Sequence, residues 1–143
     1  MKTKQQGFTL VELVVVIVSL GILAATAIPR YASYTREARI ASLNGLAGAI
    51  RSAVLVVQGR YIATGNTSAT TVTLADGSSV TTTAGANGGI PVVAAGGIDL
   101  AVNTGGTFVY VPATGVFNFP TAIANCTVTY AATGLATVDS SLC

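Results

Sequence analysis

Histidine and tryptophan are absent from this 143-residue chain, and methionine occurs once. Without histidine there is no His-containing metal site and no imidazole base for catalysis. Charge is scarce as well. Only 8% of residues are Asp, Glu, Lys or Arg, against about 25% in ordinary globular domains. The seven basic and five acidic side chains make no field for nucleic acid. No two carboxylates lie close in sequence, and there is no G-x-S-x-G. Glycine is plentiful, but no G-K-[ST] and no G-x-G-x-x-G follows from it, so phosphate cradles are excluded. These absences point away from an enzyme and call for no cofactor and no metal.

A long apolar run is present instead, in Gly7-Phe8-Thr9-Leu10-Val11-Glu12 and the residues after it. From Leu13 to Pro29 there is no charge, and from Phe8 the only charge before Arg30 is Glu12. As a helix, Phe8 to Pro29 would reach roughly 33 Å, close to the hydrocarbon thickness of a bilayer. Val, Ile and Leu occupy every face, unlike the single stripe of a soluble surface helix. Lys2 and Lys4 flank one side, and Arg30, Arg36 and Arg39 the other. A short cytoplasmic amino end with the remainder exported fits these flanks. An ordinary signal peptide cut after Ala27, at Ala25-Thr26-Ala27, would release a soluble secreted binding module. An uncut, membrane-anchored protein is plainer still. Against the signal peptide stand the length of the run and Glu12. An acid there costs on the order of 2.5–3.5 kcal/mol if it reaches mid-bilayer, and it demands a partner.

Gly7-Phe8-Thr9-Leu10-Val11-Glu12, behind a short basic leader and ahead of an uninterrupted apolar helix, resembles the processing motif of type IV pilins and pseudopilins. Gly21 and Pro29 sit where such pilins weaken the helix, and Tyr31 and Tyr34 match a following aromatic pair. Residues Ala38 to Leu46 are worded most like pilins of the mannose-sensitive haemagglutinin (MSHA) kind. The resemblance implies a prepilin peptidase that cuts between Gly7 and Phe8 and methylates the new amine of Phe8. It implies a structural subunit, the major pilin, that forms a homopolymer through its helix and mediates adhesion to host or abiotic surfaces. The other implied partners are inner-membrane assembly machinery, ATPases and minor pilins. The location it implies is the inner membrane, head in the periplasm, and then an extracellular pilus. A pseudopilin of a type II secretion system shares the motif and is the nearest alternative. Losing residues 1–7 removes Lys2 and Lys4, so the mature chain has five basic and five acidic side chains. Glu12 is one helical turn from the amine of Phe8. Paired with the amine of a neighbouring subunit, it would fix axial register and relieve two charges that lipid makes expensive.

The expected organisation is a leader over 1–7, a membrane and filament-core helix over 8–29, an amphipathic helix over 30–58 and a β head over 59–143. Gly21 and Pro29 mark a place where the helix can loosen, although an intact helix suits the isolated subunit. Ile40, Leu43, Ala47, Ile50, Val54 and Val57 form an apolar stripe, and Gly59 reads as its stop. Thr71–Ala75 and Ser79–Thr83 flank Asp76-Gly77-Ser78 as a hairpin. Ile98–Val102 and Thr107–Val111 read as a second hairpin around Asn103-Thr104-Gly105-Gly106. Residues 84–97 read as loop, and 116–119 and 126–130 as further strands. The fold class is α+β, one long helix on a small, mostly antiparallel sheet. Cys126 and Cys143 suggest one disulfide in an exported chain, as in the disulfide-closed loop of the pilins this sequence resembles.

Overall fold

The computed structural model describes residues 7–143, with side chains for all of these except residues 29–33. Lys2 and Lys4, and the side chains of Pro29, Arg30 and Tyr31, lie outside the described residues. One helix, α1, runs over Leu10–Thr64. Its backbone is helical through Gly21 and Pro29, the intact form expected of an isolated subunit. The chain divides into two units, Met1–Ala38 and Arg39–Cys143. In the first, every described side chain from residue 7 to 28 is exposed except that of Ala27. Leu10–Ile28 is long and apolar enough to cross a membrane.

In the second unit the expected stripe is the buried face of α1. Leu43, Ala47, Ile50, Val54 and Val57 are buried, joined by Leu46 and Tyr61, whereas Ile40 is only half-buried. Gly59 does not stop the helix. A glycine inside a helix costs about 1 kcal/mol, and one further turn buries Tyr61, worth more than that. The Tyr61 hydroxyl donates to the Thr67 carbonyl at 2.7 Å and accepts from the Gly85 amide at 3.1 Å. The helix ends instead at Gly65, whose φ of 67° is open to glycine at no steric cost.

Two antiparallel sheets pack on this face. β1 (Thr71–Thr73) pairs with β2 (Ser79–Thr81), with Val72 opposite Val80. This is the hairpin expected around Asp76. Ser78 gives two hydrogen bonds to the Asp76 carboxylate, at 3.0 and 2.7 Å, and they hold its pKa below the usual carboxylate range. Val72 and Val80 pack with Val57 and Tyr61. The second sheet has the order β3-β4-β5-β6, with β3 Val109–Val111, β4 Val116–Asn118, β5 Thr127–Tyr130 and β6 Ala136–Asp139. Phe117, Val128, Tyr130 and Ala136 face the core beside Leu43, Leu46, Ala47 and Ile50. Thr129 and Thr137, opposite one another in register, stand on the outer face.

The second expected hairpin does not form. Ile98–Ala101 is a short helix, α2, closed by a bond from the Val102 amide to the Ile98 carbonyl at 3.1 Å. A strand would send Ile98, Leu100 and Val102 to one face. The structure buries Ile98 and Val102, four residues apart, and leaves Leu100 48% exposed. The exposure of Leu100 between buried Ile98 and Val102 decides the period, since i and i+4 share a face in either element. β3, shorter than expected, pairs with β4 instead, with Tyr110 opposite Phe117 and their ring centroids 4.4 Å apart. Their connection turns at Gly115, where an added Cβ would stand 2.4 Å from the Tyr130 carbonyl oxygen.

Tyrosine hydroxyls tie the glycine-rich 84–97 segment to the sheet. Tyr130 donates to the Pro91 carbonyl at 2.7 Å, and Tyr110 donates to that of Val93. Burial, then the nearby Asp99 charge, pushes the Tyr110 phenol up to about 12 from 10.0. Burial pushes Tyr130 up as well. A raised folded-state value leaves stability untouched below the unfolded value near 10 and removes it as pH rises toward 12. The thermal midpoint should therefore hold steady to about pH 10 and then fall. The double variant Tyr110→Phe, Tyr130→Phe should show a flatter fall. An equally steep fall in that variant would assign the alkaline loss to other groups.

Candidate functional site

Gly7, Phe8 and Thr9 precede the helix and have no regular secondary structure. Gly7 is exposed, and Phe8 is 93% exposed. The Gly7–Phe8 peptide bond thus lies outside the helix, between two exposed residues. Thr9 begins the helix, its carbonyl accepting the Leu13 amide at 3.3 Å.

Glu12 closes on Thr9 in both directions. The Thr9 amide and the Thr9 hydroxyl each donate to Glu12 Oε2, both at 2.8 Å. The Glu12 amide lies 3.3 Å from Thr9 Oγ1. This is a capping box, in which residues three apart satisfy amides that the first helical turn leaves open. The sequence carries its signature, Thr9-x-x-Glu12, which the reading of the apolar run did not use. In this chain Glu12 is therefore anchored to Thr9, not to Phe8. The arrangement holds a carboxylate at the start of an exposed apolar helix, and it fixes where that carboxylate points.

The other expected site lies at the far end of the sequence. Cys126 and Cys143 form a disulfide, with Cα atoms 5.0 Å apart and a separation of 17 residues. Cys126 is fully buried, directly before β5, and Cys143 is half-buried. The loop between β6 and Cys143 has its own bonds. Ser141 gives two hydrogen bonds to Asp139, and the Leu142 amide reaches the Asn125 carbonyl at 3.3 Å. Two arginines of α1 hold this region from below. Arg51 donates to the Ala136 carbonyl at 2.9 Å and Arg39 to that of Cys143 at 3.4 Å. No sequence signal marked either contact, because the partners are backbone carbonyls 85 and 104 residues away. Among the described residues there is no cluster of three or more His, Cys, Asp or Glu able to hold a metal.

A long helix led by an exposed apolar span, a small antiparallel head and a disulfide-closed end together define a pilin-like α+β subunit. Residues 2–28 match the family described as the prokaryotic N-terminal methylation motif. The chain is 40% identical to the type IV narrow pilus major component of Thermus thermophilus, a match covering 52% of this chain and 75% of that protein. It is 43% identical to the type IV major fimbrial protein of Dichelobacter nodosus, over 38% of this chain and 35% of that one. It is 50% identical to a type IV major pilin of Neisseria gonorrhoeae, over 38% of this chain and 33% of that one. The chain thus spans three quarters of the Thermus protein and about a third of the other two. No solved structure matches it significantly. The chain belongs to the type IV pilin family.

Proposed function

We propose that this chain is a prepilin cut between Gly7 and Phe8 and methylated on Phe8, and that its mature form polymerises as the major subunit of a type IV pilus. A structural role, rather than catalysis, follows from the family. One observation carries the finer reading. The methylation motif spans residues 2–28, and near its start an exposed Gly7–Phe8 bond precedes a helix whose third residue, Glu12, is held in a capping box. Cleavage turns the Phe8 amide into a cation. The bonds from Thr9 both fall on Glu12 Oε2, and Oε1 is the oxygen we assign to the amine of a neighbouring subunit. The span Leu10–Ile28 would hold the subunit in the inner membrane, head in the periplasm, until assembly machinery, ATPases and minor pilins extract it. The organisation into leader, core helix, amphipathic helix and head is part of this reading, with the amphipathic helix extended to Thr64. Loosening of α1 between Gly21 and Pro29 belongs to the filament, not to the isolated subunit. The relatives are pilus and fimbrial subunits, which favours a pilus over a secretion pseudopilus. Attachment to host or abiotic surfaces would fall to the head, and the wording of residues 38–46 supports an MSHA-like subgroup.

The mass of the protein purified from sheared cell-surface material tests this. A chain beginning at N-methylated Phe8, in long extracellular fibres, is the expected result. A chain beginning at Ile28 would make residues 1–27 a signal peptide and end the pilus reading. An intact Met1 on surface-exposed protein would leave only a membrane anchor.

A further inference from the structure

Two Asn-Gly pairs occur in the chain, Asn44-Gly45 and Asn87-Gly88. Asparagine is a thermolabile residue, and most so before glycine, where no side chain shields the next amide. That amide nitrogen can close a small ring on the asparagine side chain. The ring needs a free N–H and a backbone able to leave its folded conformation. The structure separates the two pairs on this point.

Asn44 lies well inside α1, which runs over Leu10–Thr64. The Gly45 amide is committed to the helical ladder, and Leu43, Leu46 and Ala47 around it are buried in the core. Asn87 is exposed in the loop after Thr83, and its side chain has no hydrogen-bond partner among the described residues. Ala86 and Asn87 are the central residues of a turn closed by one bond, from the Gly88 amide to the Gly85 carbonyl at 2.9 Å. That carbonyl has a second donor in reach, the Tyr61 hydroxyl at 3.2 Å. Opening the turn therefore frees the Gly88 amide without orphaning its acceptor. Position 88 must be glycine, since an added Cβ would stand 2.5 Å from the Thr83 carbonyl oxygen. The packing of the loop thus enforces the reactive pair.

We infer that Asn87 is a self-modifying site, and that its product loosens the hold of the loop on Tyr61. The Gly88 nitrogen attacks Asn87 Cγ, its proton passes through water to the departing Nδ2, and ammonia is released. Water then opens the ring. Addition at Cγ gives aspartate, and addition at the main-chain carbonyl gives isoaspartate. One water is consumed for each ammonia lost, and nothing is oxidised or reduced. Either product adds a negative charge to a head whose other acids, from residue 40 on, are Asp76, Asp99 and Asp139. Isoaspartate also lengthens the main chain by a methylene, for which the loop has no slack. The Thr83 amide donates to the Ile90 carbonyl at 2.9 Å, and the Ile90 amide returns a bond to Thr83 Oγ1 at 3.3 Å. Gly89 lies so close to Tyr61 that an added Cβ would stand 2.6 Å from the Tyr61 Cβ. The added length would draw Gly85 away from the Tyr61 hydroxyl, which the Gly85 amide reaches at 3.1 Å. Water is the only co-reactant, so the change proceeds in free and assembled subunits alike.

The test holds the detergent-solubilised full chain at mildly alkaline pH, folded and in guanidinium, and samples it over weeks. Mass spectrometry of proteolytic peptides follows positions 44 and 87, and enzymatic methylation counts isoaspartate. In the folded chain Asn87 should convert at least about tenfold faster than Asn44, since a helix interior opens far more rarely than a surface turn. In guanidinium the two should convert at similar rates. Asn87→Gln, which forms the ring poorly, should stay unconverted at position 87. The isoaspartate form should melt about 4–8 °C below the unaltered chain, the shift that one lost buried bond gives a unit of this size. Asn87→Asp, with the charge but the normal main chain, should melt close to the unaltered chain. An Asn87 that survives in the folded chain yet converts in guanidinium would show that the turn protects it, and the site would be refuted. Equal conversion of Asn44 and Asn87 in the folded chain would refute the selection by structure. An isoaspartate form that melts with the unaltered chain would overturn the tie to Tyr61.

Discussion

Glu12→Val should leave the protein processed and inserted in the membrane but should all but abolish pili. Valine suits the bilayer better than a carboxylate does, so insertion gains from the change. On the proposed assembly, what is lost is the partner of the neighbouring subunit's Phe8 amine. Removing one member of a desolvated, hydrogen-bonded charge pair costs about 2–5 kcal/mol, because the other charge is left without compensation. The loss recurs at every subunit added, so fibre yield should drop by well over about tenfold. The capping box makes the prediction graded. Thr9→Val keeps the carboxylate but removes the hydroxyl that holds Oε2 at 2.8 Å; caps of this kind are worth about 0.5–2 kcal/mol. Its yield should lie between those of the unaltered chain and Glu12→Val, with Thr9→Ser close to normal. Immunoblots of sheared and membrane fractions separate assembly from insertion. Abundant pili from Glu12→Val would remove Glu12 from assembly altogether.

Cys143→Ser should cost the head much of its stability. The disulfide closes a separation of 17 residues, worth roughly 3 kcal/mol on the chain-entropy account. For a unit of this size that lowers the thermal midpoint by about 10–20 °C. The structure says which part opens first. Cys126 precedes β5 and β6 is the edge of its sheet, so without the bridge β6 is held by β5 on one side only, by the Arg51 bond to Ala136 and by the packing of Ala136 and Val138 on the core. Amide exchange should accelerate at residues 136–142 before it does at β4. The double variant Cys126→Ala, Cys143→Ser should resemble the single one. An unchanged midpoint, with unchanged fibre yield, would show that the bridge is idle.

The helix and its buried face were legible in the sequence because burial there follows one period. Leu43, Ala47, Ile50, Val54 and Val57 needed no tertiary knowledge to be placed. Gly59 was misread because its local cost is small beside the burial of Tyr61 two residues later, and the pocket for Tyr61 is built by Thr67 and Gly85. Ile98–Val102 suits either period, and only the core that receives Ile98 and Val102 chooses the helix. β6 was missed because Ala136–Asp139 opens on alanine and closes on aspartate, both depleted from strands. The hydrogen bonding of Glu12 was readable in Thr9-x-x-Glu12 and was obscured by attention to the charge itself. The contacts of Arg39 and Arg51 could not be read at all, since a backbone carbonyl leaves no trace in composition.

The threonines on the outer face of β5 and β6 bear on how a fibre would meet its surroundings. Between residue 40 and the end of the sequence only Arg51, Arg60, Asp76, Asp99 and Asp139 carry charge. Arg51 is engaged with Ala136, and Asp76 and Asp139 with neighbouring serines. A coat of hydroxyls and amides around so few ions has little for salt to screen. Its grip on a surface would come from short-range hydrogen bonds and apolar contact, and a change from dilute to concentrated electrolyte should leave that grip nearly as it was.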